Sequence, residues 1–197
     1  FLVDLLVGKV LKLRDVRYNL ADVLQSKAIK DAFDVVIIDC PPRLTTSTAQ
    51  ALCAGSHLLI PTILDKPCAE AVISFCEEVE RLKKNNICPV LDYVGVVGVR
   101  VSPNVDEIAE RNAKKMIADG LKQMNFPSGL LAEEHFVRKA NAFLNDSDEG
   151  IAYLVMGDNK RQREIKEAMG NLADYVANQI GLPKPQAHLQ QVLRAAE

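Results

Sequence analysis

The sequence predicts an α/β fold in three layers, a mostly parallel β-sheet with helices on both faces. Three observations predict it. Short aliphatic runs without polar alternation, typical of strands that are buried on both faces, recur along the chain. Amphipathic helical patterns separate these runs, as in successive βαβ units. The chain has 197 residues, which is enough for one such domain with a sizeable core.

Helical patterns precede the first predicted strand. Phe1–Val7 has helical character and is followed by Gly8, a natural residue at a helix end. Apolar residues at helical spacing between 20 and 29 predict a second short helix, which ends before Phe33. We then predict a buried central strand over Asp34–Asp39, which must stop there because prolines follow at once.

The next α/β unit joins a helix over Thr45–Ala54 to a strand over His57–Thr62. The helix is rich in small residues, so we expect it to pack close to the sheet. Asp65 then predicts the N-cap of a long amphipathic helix, with Pro67 in its first turn. The apolar stripe of this helix comprises Ala69, Val72, Ile73, Cys76, Val79 and Leu82.

The third predicted strand, Tyr93–Arg100, contains Gly95 and Gly98. Glycines inside a strand indicate that a helix or a ligand approaches the backbone closely. Asn104 and Glu107 form a capping-box-like pair ahead of another helix. The predicted core face of that helix comprises Val105, Ile108, Ala109, Met116, Ile117 and Leu121.

The last part of the chain is expected to hold one short strand and one long helix. Gly129–Ala132 predicts the strand, and the pattern from 136 to 144 is ambiguous. Lys160–Ile180 predicts the helix, which Gly181 and a nearby proline terminate. We therefore divide the chain into a domain over 1–182 and a tail over 183–197.

Composition indicates an ordinary globular protein. The formal net charge is −2 and 48% of residues are hydrophobic, so bulk charge does not favour nucleic acid. No apolar run approaches the roughly 20 residues of a membrane span. The five cysteines include no Cys-x-x-Cys pair, which favours small buried residues in a reducing cytoplasm over a disulfide framework or a zinc site.

Polar side chains gather where the predicted strands end. Right-handed crossovers place these carboxyl ends on one edge of the sheet, the edge where ligands bind in open α/β folds. Asp39, Asp65 and Arg100 fall there. Nucleotide hydrolases use an aspartate at the end of a buried strand for magnesium, often through a bound water. The alternative for Asp39 is a loop acid that caps the next helix, and these residues alone leave both interpretations open.

The whole string around Asp39 resembles the ParA/MinD family of partitioning ATPases. These are deviant Walker-type P-loop proteins, in which the corresponding strand ends Ile-Ile-Asp-x-Pro-Pro. Here the string reads Ile37-Ile38-Asp39-Cys40-Pro41-Pro42, and a small-residue helix and a strand ending in Pro-Thr follow it. The resemblance covers most of the chain and implies a Rossmann-like P-loop NTPase fold.

The resemblance also implies roles for individual residues. Asp39 would be the catalytic acid that binds magnesium through water, as part of the Walker B strand. Cys40, Pro41 and Pro42 would begin switch II, the segment that senses the γ-phosphate of ATP. A second group would lie near the adenine base, namely Arg100, Val101 and Pro103.

Cofactors and partners follow from the same resemblance. ATP and magnesium would be bound, two copies would form a nucleotide-dependent homodimer, and a ParB-like or other activator protein would stimulate hydrolysis. Such a protein partitions a chromosome or plasmid, or positions another cargo, in the cytoplasm. Nonspecific DNA is a further implied partner, and the cations at the start of the last helix are candidates for phosphate contacts, namely Lys160, Arg161, Arg163 and Lys166. The alternative is an ordinary solvated face, because Glu164 and Glu167 are interleaved.

One family feature is not found in this sequence, the Gly-rich phosphate loop with its two lysines. The earliest glycine is Gly8, and a phosphate cradle needs several glycines whose backbone N–H groups converge. We therefore expect an N-terminally incomplete domain that alone binds ATP poorly and does not hydrolyse it. The alternative is a non-catalytic, Rossmann-like interaction module that no longer binds nucleotide.

The nitrogenase iron protein, of the same superfamily, also carries a cysteine after its switch II acid. That protein ligates an iron–sulfur cluster through an Asp-x-x-Cys spacing and a second, matched cysteine. Here Cys40 adjoins Asp39 directly. The two prolines that follow match partitioning proteins better, so iron–sulfur ligation is not expected.

Overall fold

The computed structural model describes residues 15–41, 44–101, 108–139, 157 and 159–182. The helices in these ranges are α1 (Asn19–Leu24), α2 (Lys27–Ala32), α3 (Thr46–Ala54), α4 (Lys66–Lys84), α5 (Ile108–Gln123) and α6 (Lys160–Gln179). The strands there are β1 (His57–Thr62), β2 (Asp92–Val101) and β3 (Val137–Arg138). Single 3-10 turns lie at Val16–Tyr18 and Glu133–His135.

The described sheet has the strand order β1-β2-β3, with β2 in the middle. β2 and β3 are parallel, and Val99 lies opposite Val137. An isolated parallel bridge also joins Val96 to Leu131, so the strand that was predicted over Gly129–Ala132 contributes only one bridging residue. The α/β class with a parallel sheet is confirmed.

The chain divides into two compact units. The first takes in described residues up to Leu58 and the range Cys76–Tyr93, and the second takes in Leu59–Phe75 and described residues from Val94 onward. β1, β2 and α4 contribute residues to both units.

The first unit has a small core beneath α3. Leu52, Cys76, Val79 and Leu91 are among its buried residues. α3 begins after Thr45, whose side-chain oxygen accepts a hydrogen bond from the Thr48 backbone N–H at 3.4 Å. This confirms the predicted helix over 45–54.

Two other predictions in the first unit are wrong. The single helix expected between 20 and 29 is two helices, because Ser26 is extended and begins α2 as its N-cap, a position that serine favours. The buried strand expected over Asp34–Asp39 is an exposed, extended segment, in which 90% of the surface of Ile37 is accessible. β-branched residues favour a strand only where neighbouring strands cover them, and no strand in the described ranges pairs with this segment.

The second unit has β2 at its centre. Val94, Val96 and Val97 are buried, as are Ala69 and Val72 of the predicted α4 stripe. α5 packs closely against α4, because a Cβ at Gly120 would lie 2.7 Å from the side chain of Ile73.

The predicted core face of α5 is only partly confirmed. Ile117 and Leu121 are buried, whereas 70% of the surface of Ile108 is exposed. Nine residues separate Ile108 from Ile117, which at about 100° per residue puts the two on opposite sides of the helix. Val105, Asn104 and Glu107 lie outside the described residues.

α6 has well-defined ends. Asn159 and Gln162 form a reciprocal capping box, in which the Gln162 backbone N–H donates to the Asn159 side chain at 3.0 Å. At the other end Gly181 adopts a φ of 70°, and the Leu182 N–H donates to the Ala177 carbonyl at 2.9 Å. This is the glycine-terminated ending that the sequence predicts.

Tyr175 of α6 fastens that helix to the central strand. Its hydroxyl donates to the Val94 carbonyl at 2.6 Å, and its ring stacks on His135 with 4.2 Å between centroids. A Cβ at Gly95 would lie 2.9 Å from the Tyr175 hydroxyl oxygen, and one at Gly98 would lie 2.9 Å from the Phe136 ring. The close approach predicted at both glycines is confirmed.

The contact between Gly95 and Tyr175 yields a double-mutant test. We expect Gly95→Ala to lower the free energy of unfolding by about 1–3 kcal/mol, because the new methyl group overlaps the hydroxyl. In a Tyr175→Phe background, which itself costs about 1 kcal/mol, the same substitution should cost about 1 kcal/mol less. Urea denaturation of the four proteins measures both effects.

The control for this cycle is Gly170→Ala in α6, where a Cβ would meet nothing within 4 Å. It should stabilise the protein by up to about 1 kcal/mol through helix propensity. An equal cost of Gly95→Ala in both backgrounds would show that the hydroxyl does not set the glycine requirement.

Candidate functional site

Asp39 lies in the first unit at the end of the extended segment, and its side chain is exposed. The next helix, α3, is capped by Thr45 and not by Asp39. This removes the alternative in which Asp39 serves as the helix cap. Magnesium is commonly held by one or two carboxylates, with water and phosphate oxygens completing its shell. A single exposed carboxylate therefore fits such an ion.

Cys40 and Pro41 follow Asp39 in extended, exposed backbone, and Pro42 lies outside the described residues. The Cys40 thiol lies 3.7 Å from the Ile38 carbonyl oxygen, to which it donates. Partial desolvation, and then the neighbouring charge of Asp39, raise the pKa of the Cys40 thiol. The thiol is accordingly neutral at pH 7.

Asp65 acts as a helix cap in the second unit. Its carboxylate accepts a hydrogen bond from the Cys68 backbone N–H at 2.8 Å, at the start of α4. That hydrogen bond lowers the pKa of the Asp65 carboxyl. The predicted N-cap is confirmed, and the structural role accounts for one oxygen of this acid.

Arg100 and Val101 lie where β2 ends, and Pro103 lies outside the described residues. Arg100 is exposed and has a φ of 58°, in the left-handed region. A residue with a Cβ pays about 1 kcal/mol there. Non-glycine residues in such conformations cluster at functional sites, so this geometry marks the end of β2 as a candidate ligand contact.

Two further cations, Arg138 and Lys139, lie beside the end of β2. Val101 pairs with Arg138, and its carbonyl accepts a hydrogen bond from the Lys139 N–H at 3.0 Å. Because β2 and β3 are parallel, their carboxyl ends meet on the edge of the sheet that binds ligands in this class of fold. In the sequence, the signal for this short strand and its two cations is the apolar pair Phe136–Val137 directly ahead of them. The pair lies in the stretch from 136 to 144, whose pattern is ambiguous.

The predicted site residues are divided between the two units. Asp39 and its neighbours belong to the first unit, while Arg100 and Val101 belong to the second.

The predicted basic cluster of α6 is divided. Lys160 lines an open groove together with Glu164 and Glu167, whereas Arg163 and Lys166 do not line it. Arg163 is exposed and Lys166 is half-buried. At least one of the four cations, Lys160, therefore lines the same groove as acidic side chains.

The part of the chain that the structure describes contains neither a metal cage nor a membrane span. No three His, Cys, Asp or Glu side chains there are grouped so that they could hold a metal ion. Across the same ranges, no helix combines the length and the apolar character that crossing a membrane requires.

Known proteins match this chain in sequence. The family described as an AAA domain matches residues 6–91. An uncharacterised protein of Pseudomonas putida is 26% identical over 141 residues, which cover 68% of this chain and 53% of the relative. The chromosome partitioning protein ParA of Caulobacter vibrioides is 29% identical over 80 residues, 41% of this chain and 30% of that protein.

Solved structures share the fold. The ATP complex of a variant of Cyanothece McdA aligns with a TM-score of 0.66 and 19% identity, over 87% of this chain and 60% of McdA. The apo form of McdA aligns with a TM-score of 0.58 and 23% identity, over 79% of this chain and 60% of McdA. The chain spans about half the length of the Pseudomonas relative and less of the Caulobacter one.

The strained backbone at the end of β2 gives a stability prediction. Arg100→Gly should raise the free energy of unfolding by about 0.5–1 kcal/mol, since glycine adopts the left-handed region at no steric cost. Asn125→Gly is the matched control: Asn125 has a φ of 61°, but asparagine tolerates that region. Urea denaturation should show a gain for the arginine and little change for the asparagine. Equal effects at the two positions would argue against strain at Arg100.

Proposed function

We infer that this chain belongs to the ParA/MinD-type family of P-loop ATPases. On this premise we propose that residues 1–182 form the C-terminal portion of that family's nucleotide-binding domain and that residues 183–197 form a tail. The proposed function is that of a partitioning or positioning ATPase, which acts on DNA or another cargo. The carrying observation is that Asp39 presents an exposed carboxylate that the next helix does not use as its cap.

In this proposal Asp39 would hold magnesium through a water molecule. The ion would supply positive charge beside the phosphates of ATP. Pro41 and Pro42, two and three residues after the acid, have φ angles that their rings restrict. They restrict the backbone of the proposed switch II and so hold its start in one conformation. Cys40 would supply no ligand to magnesium, because this ion prefers oxygen donors to sulfur.

The base side of the proposed nucleotide site comprises Arg100, Val101 and Pro103. Two features support a ligand there: the left-handed backbone of Arg100 and its place at the carboxyl end of a parallel strand. Arg138 and Lys139 on the adjoining strand end add positive charge to the same edge. An anionic ligand such as a nucleotide is favoured by that charge.

Partners are proposed by analogy with the relatives. The Caulobacter relative is a chromosome partitioning protein, and a Cyanothece McdA variant was solved with ATP. We propose a nucleotide-dependent homodimer, a ParB-like or other activator protein, and a cytoplasmic location. The sequence contains no Gly-rich phosphate loop, so the phosphate-binding half of the site is not supplied by these 197 residues.

A second candidate is a non-catalytic interaction module that no longer binds nucleotide. The exposed apolar segment favours it, since Phe33 and Ile37 have 60% and 90% of their surface accessible. Apolar surface of this kind marks a contact with another segment or another protein. Nucleotide binding decides between the two candidates.

Nucleotide and magnesium titrations test the main proposal. This chain alone should show no saturable binding of magnesium-ATP in the micromolar range by calorimetry, because backbone groups that cradle phosphates are missing from its sequence. In the protein encoded by the whole reading frame, with a phosphate loop, Asp39→Asn should lower magnesium-dependent phosphate release by about 10–100-fold. The magnesium concentration for half-maximal activity should rise in parallel.

The matched control is Asp34→Asn, which removes the acid at the other end of the same exposed segment. It should leave phosphate release within about twofold of the wild-type value. Equal activity of the Asp39 variant and the wild-type protein would refute the magnesium role, and no hydrolysis by the wild-type protein would favour the interaction module.

We also propose that the cations of α6 contact DNA phosphates, namely Lys160, Arg161, Arg163 and Lys166. In the whole protein, changing all four to Ala should weaken binding to random-sequence duplex and flatten its salt dependence. Each lost phosphate contact should change the log–log salt slope by about 0.9.

The control removes four exposed lysines elsewhere by changing Lys66, Lys84, Lys115 and Lys122 to Ala. Filter binding between 50 and 200 mM salt, a range chosen for the size of the expected effect, compares the two variants. If both lose affinity equally, net charge and not the α6 cluster explains the binding.

A further inference from the structure

An open groove lies between β3 and α6 in the second unit, and we name it the β3–α6 groove. Its volume is about 630 Å³. Apolar side chains line its floor, with Phe136 and Val137 on the strand side and Ile165 and Ala168 on the helix side. β3 is the outer strand of the described sheet. The groove therefore presents an apolar floor beside a sheet edge.

The direction of the groove follows from one ring contact and from the residues that line it. His135 lies two residues ahead of β3 and stacks on Tyr175, which follows the part of α6 that lines the groove. Residues 136–139 line the groove beside that earlier part of α6, so β3 leads from Tyr175 toward the start of the helix, and Lys139 lies toward Lys160. The helix side of the groove extends from Lys160 to Asn171, about 16 Å at 1.5 Å per residue. An extended peptide covers that length with about five residues.

The two ends of the groove carry opposite charge. Arg138, Lys139 and Lys160 line the end where β3 stops and α6 begins. Glu134, ahead of β3, and Glu167, two turns into α6, line the other end. Glu164 lies between them, one turn from Lys160. A ligand that matches this pattern is negative at one end, apolar in the middle and positive at the other end.

We propose that the β3–α6 groove binds an extended segment of about five residues from a partner protein, with its acidic end at Lys139 and Lys160 and its basic end at Glu134 and Glu167. The sheet edge supplies main-chain hydrogen bonds to such a segment, and the apolar floor receives alternate side chains. A nucleic acid strand does not suit the groove beyond Lys160 at its basic end. Phosphates carry one sign of charge along their whole length, and the acids at 164 and 167 repel them.

Fluorescence anisotropy with the full chain tests this proposal. The probe is a labelled heptapeptide, Glu-Glu-Val-Ile-Val-Lys-Lys, and the control has the same composition with its charges interleaved, Glu-Lys-Val-Ile-Val-Lys-Glu. We expect the probe to bind about tenfold more tightly than the control, because two or three exposed ion pairs contribute up to about tenfold together.

Charge reversal within the groove should change the preference. In the double variant Lys139→Glu and Lys160→Glu both ends are acidic, so the probe should bind about tenfold more weakly. A peptide with lysines at both ends, Lys-Lys-Val-Ile-Val-Lys-Lys, should then bind more tightly than the probe. The matched control, Lys115→Glu with Lys122→Glu on exposed positions of α5, should leave the probe's affinity unchanged. All these positions are exposed, so thermal unfolding should be the same within a few degrees.

Several results would overturn the proposal. Equal binding of the probe and the interleaved peptide would exclude recognition of charge order. Displacement of the probe by a random DNA duplex, with the duplex also sensitive to Lys139→Glu alone, would identify a nucleic acid site in the groove. No binding of either peptide would show that the groove does not take an extended segment of this charge order. A concentration-dependent dimer that the double variant abolishes would identify a second copy.

The test does not depend on nucleotide binding. The peptide preference is measured without ATP or magnesium, so failure of the ATPase proposal and failure of the peptide proposal are separate results.

Discussion

The hydrogen bond from the Tyr175 hydroxyl to the Val94 carbonyl is the interaction on which the second unit depends most. It spans 2.6 Å and fixes a 20-residue helix against the central strand. The neighbouring position must be glycine, because a Cβ at Gly95 would overlap the hydroxyl. The same ring stacks on His135 and so sets the direction of β3 relative to α6.

Local signals in the sequence predicted local structure well. β1 occupies His57–Thr62 as predicted, because a short aliphatic run between turn residues specifies a strand. α3 and α4 start where Thr45 and Asp65 cap them, since a capping side chain acts only on the next few backbone N–H groups. Gly95 and Gly98 also gave a correct prediction of close packing, although the residues that approach them, Tyr175 and Phe136, could not be named from spacing.

Features that depend on distant parts of the chain were predicted less well. The segment over Asp34–Asp39 has strand-forming residues, but a buried strand exists only where neighbours pair with it. β3 has two residues and is defined by its register with β2, so its cations Arg138 and Lys139 were not recognised as part of the ligand edge. The α6 cations were predicted as one surface because a linear sequence does not reveal that Lys160 lines a groove together with Glu164 and Glu167.

The exposed segment from Phe33 to Asp39 carries its own protection against aggregation. A bare run of β-branched residues is a template for cross-β stacking, and acidic residues beside such a run oppose it. Asp34 and Asp39 lie at its two ends. If two copies of the segment pair in antiparallel orientation, Asp34 of one copy faces Asp39 of the other. If they pair in parallel, each acid faces the same acid of the other copy. Like charges are opposite each other in both cases, so both pairings are destabilised. The two carboxylates therefore oppose pairing of this segment with a second copy of itself.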